Sequence, residues 1–206
     1  MLKKKRHIIA IFTCVCVLLS MISFSPLKAF AHNGFLTWNN DAKLINGVGS
    51  YGEHVRYYWI DSSASSLTDI ISQVRYEWVN TSNILTTSIL IRQISNQSSS
   101  VFDIYQNQMY PHAYCVLGES FFYNTSNQDI GVPTYNYKWT KIILNTSNFN
   151  ELSASEKRGT IAHEFGHCMG LAHSFDPDRI MTQLGNERTA TRANYTDLAT
   201  INHLYN

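Results

Sequence analysis

The chain has 206 residues, with 16 Lys and Arg against 15 Asp and Glu, for a formal net charge of +1. That length suits one domain with one hydrophobic core. No basic run occurs after Arg6, which argues against a nucleic-acid partner, and no internal repeat or Pro/Gly-rich linker divides the chain.

The first segment reads as an address. Lys3, Lys4, Lys5 and Arg6 form a basic head, residues 8–24 are almost wholly apolar, and Ala29-Phe30-Ala31 has the A-x-A form of a signal-peptidase site. Residues 1–31 are therefore expected to be a signal peptide. The protein would then be secreted and extracellular, begin at His32 and keep no stable membrane association. An uncleaved anchor is the rival reading, since an apolar run of this length is near the lower limit for a span; the cleavage site argues against it. Cys14 and Cys16 sit inside the segment as apolar filler. Cleavage removes five of the 16 basic residues and no acidic one, leaving 11 against 15, a net charge of −4 with histidine neutral.

Along the rest of the chain, β-branched and aromatic runs predict strands over 55–60, 88–94, 101–105, 113–117 and 138–144. Helical spacing of Leu67, Ile70, Ile71, Val74 and Trp78 predicts a helix over 67–79, with Ser66 and Asp69 as a capping pair. A second helix is predicted over 154–169, opened by a Ser153–Glu156 capping box, and a third over 197–205 with Leu198, Ile201 and Leu204 inward. This order suits an α+β domain built on a twisted mixed sheet. The 12 Tyr and 10 Phe are read as core and strand packing.

The second helix carries the chemistry. Residues 163–173 read H-E-x-x-H-x-x-G-x-x-H. His163 and His167, four apart, stack on one helical face and can grip one ion. Glu164 lies beside them, placed to reach a metal-bound water. Gly170 can take a positive φ and stop the helix, so that the chain turns and returns His173 as third ligand. Three nitrogens leave a fourth position open, as catalytic zinc sites do. An amphipathic helix with surface histidines is the bland alternative, but chance rarely fixes five such residues.

The pattern is that of metzincin zinc peptidases. The run 173–181, with Ser174, Pro177 and Met181, resembles the methionine turn of the matrixins, the matrix-metalloproteinase-like branch. Residues 195–205, ending in Leu204-Tyr205, resemble the matrixin C-terminal helix, and 142–145 resemble a matrixin strand. The resemblance covers about residues 138–206; over 32–137 it is one of element order. It implies a zincin-like fold with three helices, the second bearing the motif, and a catalytic domain over 32–206. It further implies one catalytic Zn²⁺ on His163, His167 and His173, Glu164 activating the bound water, and Met181 packed beneath. A secreted zinc endopeptidase acting on peptide or protein substrates follows, monomeric, with a strand edge such as 113–117 holding the substrate.

The chain also departs from the matrixin pattern. The structural zinc and Ca²⁺ signature of the family is not reproduced by His32, His54, His112 or His203. Asp176 and Asp178 are a possible Ca²⁺ pair, though a polar turn around Pro177 explains them as well. Too few residues separate position 31 from the first strand for a cysteine-bearing propeptide, so latency of that kind is not expected. Cys115 and Cys168 are expected either to form a disulfide or to be two buried thiols; Cys115 as an inhibitory thiolate is disfavoured by its strand-like neighbours. Three other classes are a narrow-specificity processing or toxin-like peptidase, a non-proteolytic hydrolase on the zincin scaffold, and a zinc-binding module without activity. The intact Glu164 argues against the last. The wall 182–194 differs from the usual matrixin loop and does not disclose a substrate.

Overall fold

The structure, a computed structural model, describes residues 30–32 and 35–206. Most of the expected signal peptide, residues 1–29, lies outside the described residues. Strand β1 (Phe30–His32) pairs antiparallel with β2 (Phe35–Thr37), so the expected cleavage point falls inside β1.

Five strands make the main sheet: β3 (Arg56–Ile60), β4 (Ile91–Gln93), β5 (Phe102–Asn107), β6 (Gly118–Tyr123) and β7 (Trp139–Asn145). Their order is β4-β3-β5-β7-β6. All neighbours pair parallel except β6, which runs antiparallel to β7 with Gly118 opposite Leu144 and Tyr123 opposite Trp139. Three longer helices complete the domain, α1 (Thr68–Val79), α2 (Ala154–Cys168) and α3 (Tyr195–Tyr205), with a single four-residue helical turn, Thr146–Phe149, between β7 and α2. The expected mixed α+β architecture is observed, with the motif on the second of the longer helices.

Period-2 alternation splits β5 and β7 between two faces. Phe102, Ile104, Ile142 and Leu144 point inward and are fully buried. Phe165 of α2 meets this face edge-on, its ring 6.0 Å from Tyr58 and 5.9 Å from Phe102. Helix α1 buries Ile71, Val74 and Trp78, and Trp78 Nε1 donates to Ala162 O at 3.2 Å. Helix α2 thus packs against both the sheet and α1, and α1 also meets the sheet at β4. The outer face of the sheet takes part of the aromatic surplus: Tyr123 stacks on Trp139 at 3.9 Å, with Lys141 above the Tyr123 and Phe121 rings.

Three local expectations are corrected. Residues 113–117 are not a strand: His112–Tyr114 form a 3-10 turn, Cys115 is left-handed at φ 54°, and the edge strand begins only at Gly118. Asn145 explains the shift. Its side chain accepts from Met109 N at 3.0 Å and Tyr110 N at 3.3 Å and donates to Val116 O at 2.9 Å, curling 109–117 over the end of β7. The strand expected over 88–94 shrinks to Ile91–Gln93. The Ser66–Asp69 cap does not form either, because α1 continues a 3-10 run, Ser62–Leu67, whose start is capped by Asp61 accepting from Ser63 N at 2.8 Å. The Ser153–Glu156 capping box of α2 forms as expected, with bonds of 2.8 and 3.3 Å.

Candidate metal centre

Helix α2 ends in a Schellman arrangement. Gly170 N donates to His167 O at 3.0 Å and Leu171 N to Gly166 O at 3.0 Å. Gly170 has φ 103°, and a Cβ there would meet Leu204 Cδ1 at 2.7 Å, so the residue is glycine for both conformation and space. The last carbonyls of a helix lack intrahelical donors. Here aromatic side chains supply them: Trp38 Nε1 to His167 O at 3.3 Å, Tyr137 Oη to Cys168 O at 2.9 Å, and Tyr205 Oη to Met169 O at 3.0 Å. Beyond the glycine, Ala172 N donates to Leu36 O at 3.0 Å, which straps β2 against the turn that delivers His173.

The three imidazoles converge. Each offers a ring nitrogen, and these nitrogens lie within 4.8 Å of one another. His163 Nδ1 lies 2.8 Å from Ile180 O, and His167 Nδ1 lies 2.8 Å from Leu171 O. A carbonyl only accepts, so both Nδ1 atoms carry the proton and both Nε2 atoms present lone pairs. His167 Nε2 and His173 Nε2 are 3.1 Å apart. Tetrahedral Zn²⁺ with 2.0–2.1 Å bonds would ask for about 3.3 Å, so the donor set fits the ion. Burial pushes His163 and His167 well below the usual imidazole range, with repulsion from the neighbouring imidazoles, and for His163 from Arg188, adding to it, and burial holds His173 at about 4. All three are neutral at physiological pH, the form that binds metal. Among the described residues this is the one such cluster of three or more.

Glu164 is 4% exposed, and burial raises its carboxyl to about 7. Ser120 of β6 donates to Oε2 at 2.8 Å and opposes that shift, as does the Arg188 guanidinium. The other oxygen, Oε1, lies 3.3 Å from where a Cβ on Gly118 would sit, so β6 leaves bare backbone beside it. Met181 is fully buried, and a Cβ on Gly166 would come 2.3 Å from its Sδ: the second variable position of the motif is glycine because Met181 packs against it. Asp197 fixes the methionine turn, accepting from Ile180 N at 3.0 Å and from Arg179 Nε at 3.0 Å.

His163, Glu164, His167, His173 and Met181 are thus brought together as the motif requires. Ser120, Asp197 and Arg188 were not foreseen. In the sequence Ser120 follows no periodic pattern, Asp197 has the look of a helix-start residue, and Arg188 falls in a stretch without pattern. Of the two alternatives for Cys115 and Cys168, the disulfide between them is not formed, and only Cys168 is the buried thiol of the other. Cys115 sits in the loop before β6, whereas Cys168 is buried with Sγ 3.8 Å from Ser120 Oγ, facing the sheet. Asp176 and Asp178 serve the turn around Pro177: Asp176 accepts from Asp178 N at 3.0 Å, and Asp178 from Thr189 Oγ1 at 2.9 Å.

Comparison with known proteins bears on the same residues. No curated protein matches the chain. Among solved structures, one titled "Structure of myroilysin" is similar at 20% identity with a TM-score of 0.39, covering 68% of this chain. The chain spans 55% of the length of that protein. Residues 121–206 match the model of the family described as Matrixin, a stretch that runs from within β6 to the end of α3 and holds all three histidines, Glu164 and Met181. That match covers less than half of the chain: residues 121–206 are similar to the matrixin family, and the similar stretch holds every residue of the imidazole cluster.

Proposed function

We propose that the protein is a secreted zinc endopeptidase in which His163, His167 and His173 hold the ion and Glu164 shuttles the proton. The observation that carries this is a neutral three-imidazole cradle beside one buried carboxylate raised to about 7. Zn²⁺, when bound there, supplies a Lewis acid that acidifies a water and polarises a scissile carbonyl.

The chain's own residues supply the rest. A general base works best with a pKa near the operating pH, which burial gives Glu164. Ser120 holds Oε2, so Oε1, beside Gly118, is the oxygen left to accept the water's proton and return it to the leaving amine. The Nδ1 bonds to Ile180 O and Leu171 O keep two rings from turning away from the ion. As the edge strand of the sheet, β6 passes beside Glu164 and offers a place for an extended peptide to pair. Within β6, Glu119 is also buried enough to be raised, and its charge adds to the upward shift of Glu164.

The test is Glu164→Gln assayed on casein, with zinc content measured alongside. Turnover should fall by about 10²–10⁴ while one zinc per chain is retained. Activity within threefold of the parent would sink the assignment, as would full activity after complete chelation. Secretion rests on the leader-like residues 3–31, and N-terminal sequencing of the extracellular protein should start at His32.

A further inference from the structure

Arg188 is 8% exposed, and among the described residues no carboxylate forms an ion pair with it. Its Nε has no hydrogen-bond partner. A guanidinium buried on such terms is costly, and that cost is retained only where its remaining bonds matter. Those bonds go to backbone. Nη1 donates to Thr182 O at 3.2 Å and, more weakly, to Ile180 O at 3.5 Å. These are the two carbonyls that flank Met181. Ile180 O is also the acceptor for His163 Nδ1 at 2.8 Å.

The surroundings are shaped to admit the guanidinium. Gly159 lies one turn before His163 on α2, and a Cβ there would stand 3.1 Å from Nη2. Both backbone groups of Ile180 are thereby held, its N–H by the Asp197 carboxylate at 3.0 Å and its carbonyl, at 3.5 Å, by Arg188.

We propose that Arg188 is a positioning residue for the ion: by pinning Ile180 O it sets the plane of the His163 ring and aims Nε2 into the cradle. This rests on His163 being a zinc ligand, as proposed above. Partners that orient a liganding histidine typically account for 10–100-fold in metal affinity.

The experiment measures Zn²⁺ affinity by competition with a chromophoric chelator, for the full chain and for Arg188→Met, Arg188→Lys, His163→Ala and the Arg188→Met/His163→Ala double variant. Near-UV circular dichroism of the zinc-free proteins reports folding. Arg188→Met should weaken binding about 10–100-fold with a native spectrum. Arg188→Lys, which keeps a donor near the carbonyls, should recover most of that loss. In the His163→Ala background the Met substitution should change affinity less than about twofold, because its effect runs through His163. A folded Arg188→Met protein with affinity within about threefold of the parent, beside a weakened His163→Ala, would overturn the positioning role alone. The same loss in both backgrounds would also overturn it, making Arg188 a general prop. Unchanged affinity in His163→Ala would overturn the metal reading and this inference together. Should Arg188→Met not fold, Arg188→Gln, too short to span both carbonyls, replaces it on the same terms.

Discussion

Replacing Ser120 with alanine removes one hydroxyl and leaves the three histidines untouched. The bond lost is 2.8 Å long, lies at a carboxylate that is 4% exposed, and favours the ionised form of Glu164. Hydrogen bonds to charged groups contribute about 1.5–3 kcal/mol net. At about 1.4 kcal/mol per tenfold, kcat/KM should fall roughly 10- to 100-fold at neutral pH. Part of that loss is orientation, since Oε2 is no longer held. Part is protonation, since Glu164 loses an influence that lowers its pKa and the acid limb of the pH profile moves upward. Zinc content should stay at one per chain. The assay is kcat/KM on a fluorogenic peptide between about pH 6 and 9, with metal analysis of the same samples. A kcat/KM within twofold of the parent across that range, at full zinc occupancy, would show that β6 does not hold the base.

His173→Ala should lower zinc occupancy as well as activity, because no other described histidine joins the cluster; metal analysis showing unchanged affinity would remove His173 as a ligand. Gly170→Ala should destabilise the protein by about 1–3 kcal/mol through its φ of 103° and the 2.7 Å approach to Leu204, read as a lower denaturant midpoint; an unchanged midpoint would refute the constraint. The zinc-free protein should lose stability in acid. Unfolding returns His173 from about 4 to the ordinary imidazole value near 6.5, so the unfolded chain binds the proton first. Its contribution is complete above about pH 6.5 and is lost as pH falls toward 4, up to about 3 kcal/mol, with His163 and His167 acting in the same direction. Glu164 acts in the opposite direction: raised to about 7, it is protonated first in the folded state and adds stability as pH falls from there. Chelated Glu164→Gln should therefore have a steeper acid slope than the chelated parent; equal slopes would contradict the raised Glu164 carboxyl, and stability that does not fall between about pH 6.5 and 4 would contradict the lowered histidines.

The His163, His167 and His173 cluster with Glu164 beside it was legible because four-residue spacing, a helix-stopping glycine and a returning histidine need no tertiary information. The capping box of α2 and the inward stripe of α3 were legible for the same reason: each is local. What stayed hidden depends on partners far along the chain. The segment 113–117 has the composition of a strand, yet Asn145 takes up its neighbours' backbone groups and curls it into a loop. The strand that holds Glu164 begins with a glycine, a residue that usually signals a turn, and that glycine is needed to spare Oε1. Arg188 sits where sequence pattern is absent, and only the bare Cα of Gly159 shows where its guanidinium lies. Asp197 reads as a helix-start residue and does cap α3, but its carboxylate also reaches the Ile180 peptide.

The aromatic donors at the end of α2 carry a consequence for assembly. Trp38, Tyr137 and Tyr205 come from three widely separated parts of the sequence, and each meets one of three successive carbonyls. The turn that swings His173 into place is therefore finished only after both ends of the chain have arrived, at the entropic expense of closing long loops. A nascent or C-terminally clipped chain would possess every letter of the motif and still lack the donors that finish this turn. On the function proposed above, metal capture would then be a late event in the life of the molecule, and a chain that held zinc tightly would have finished folding.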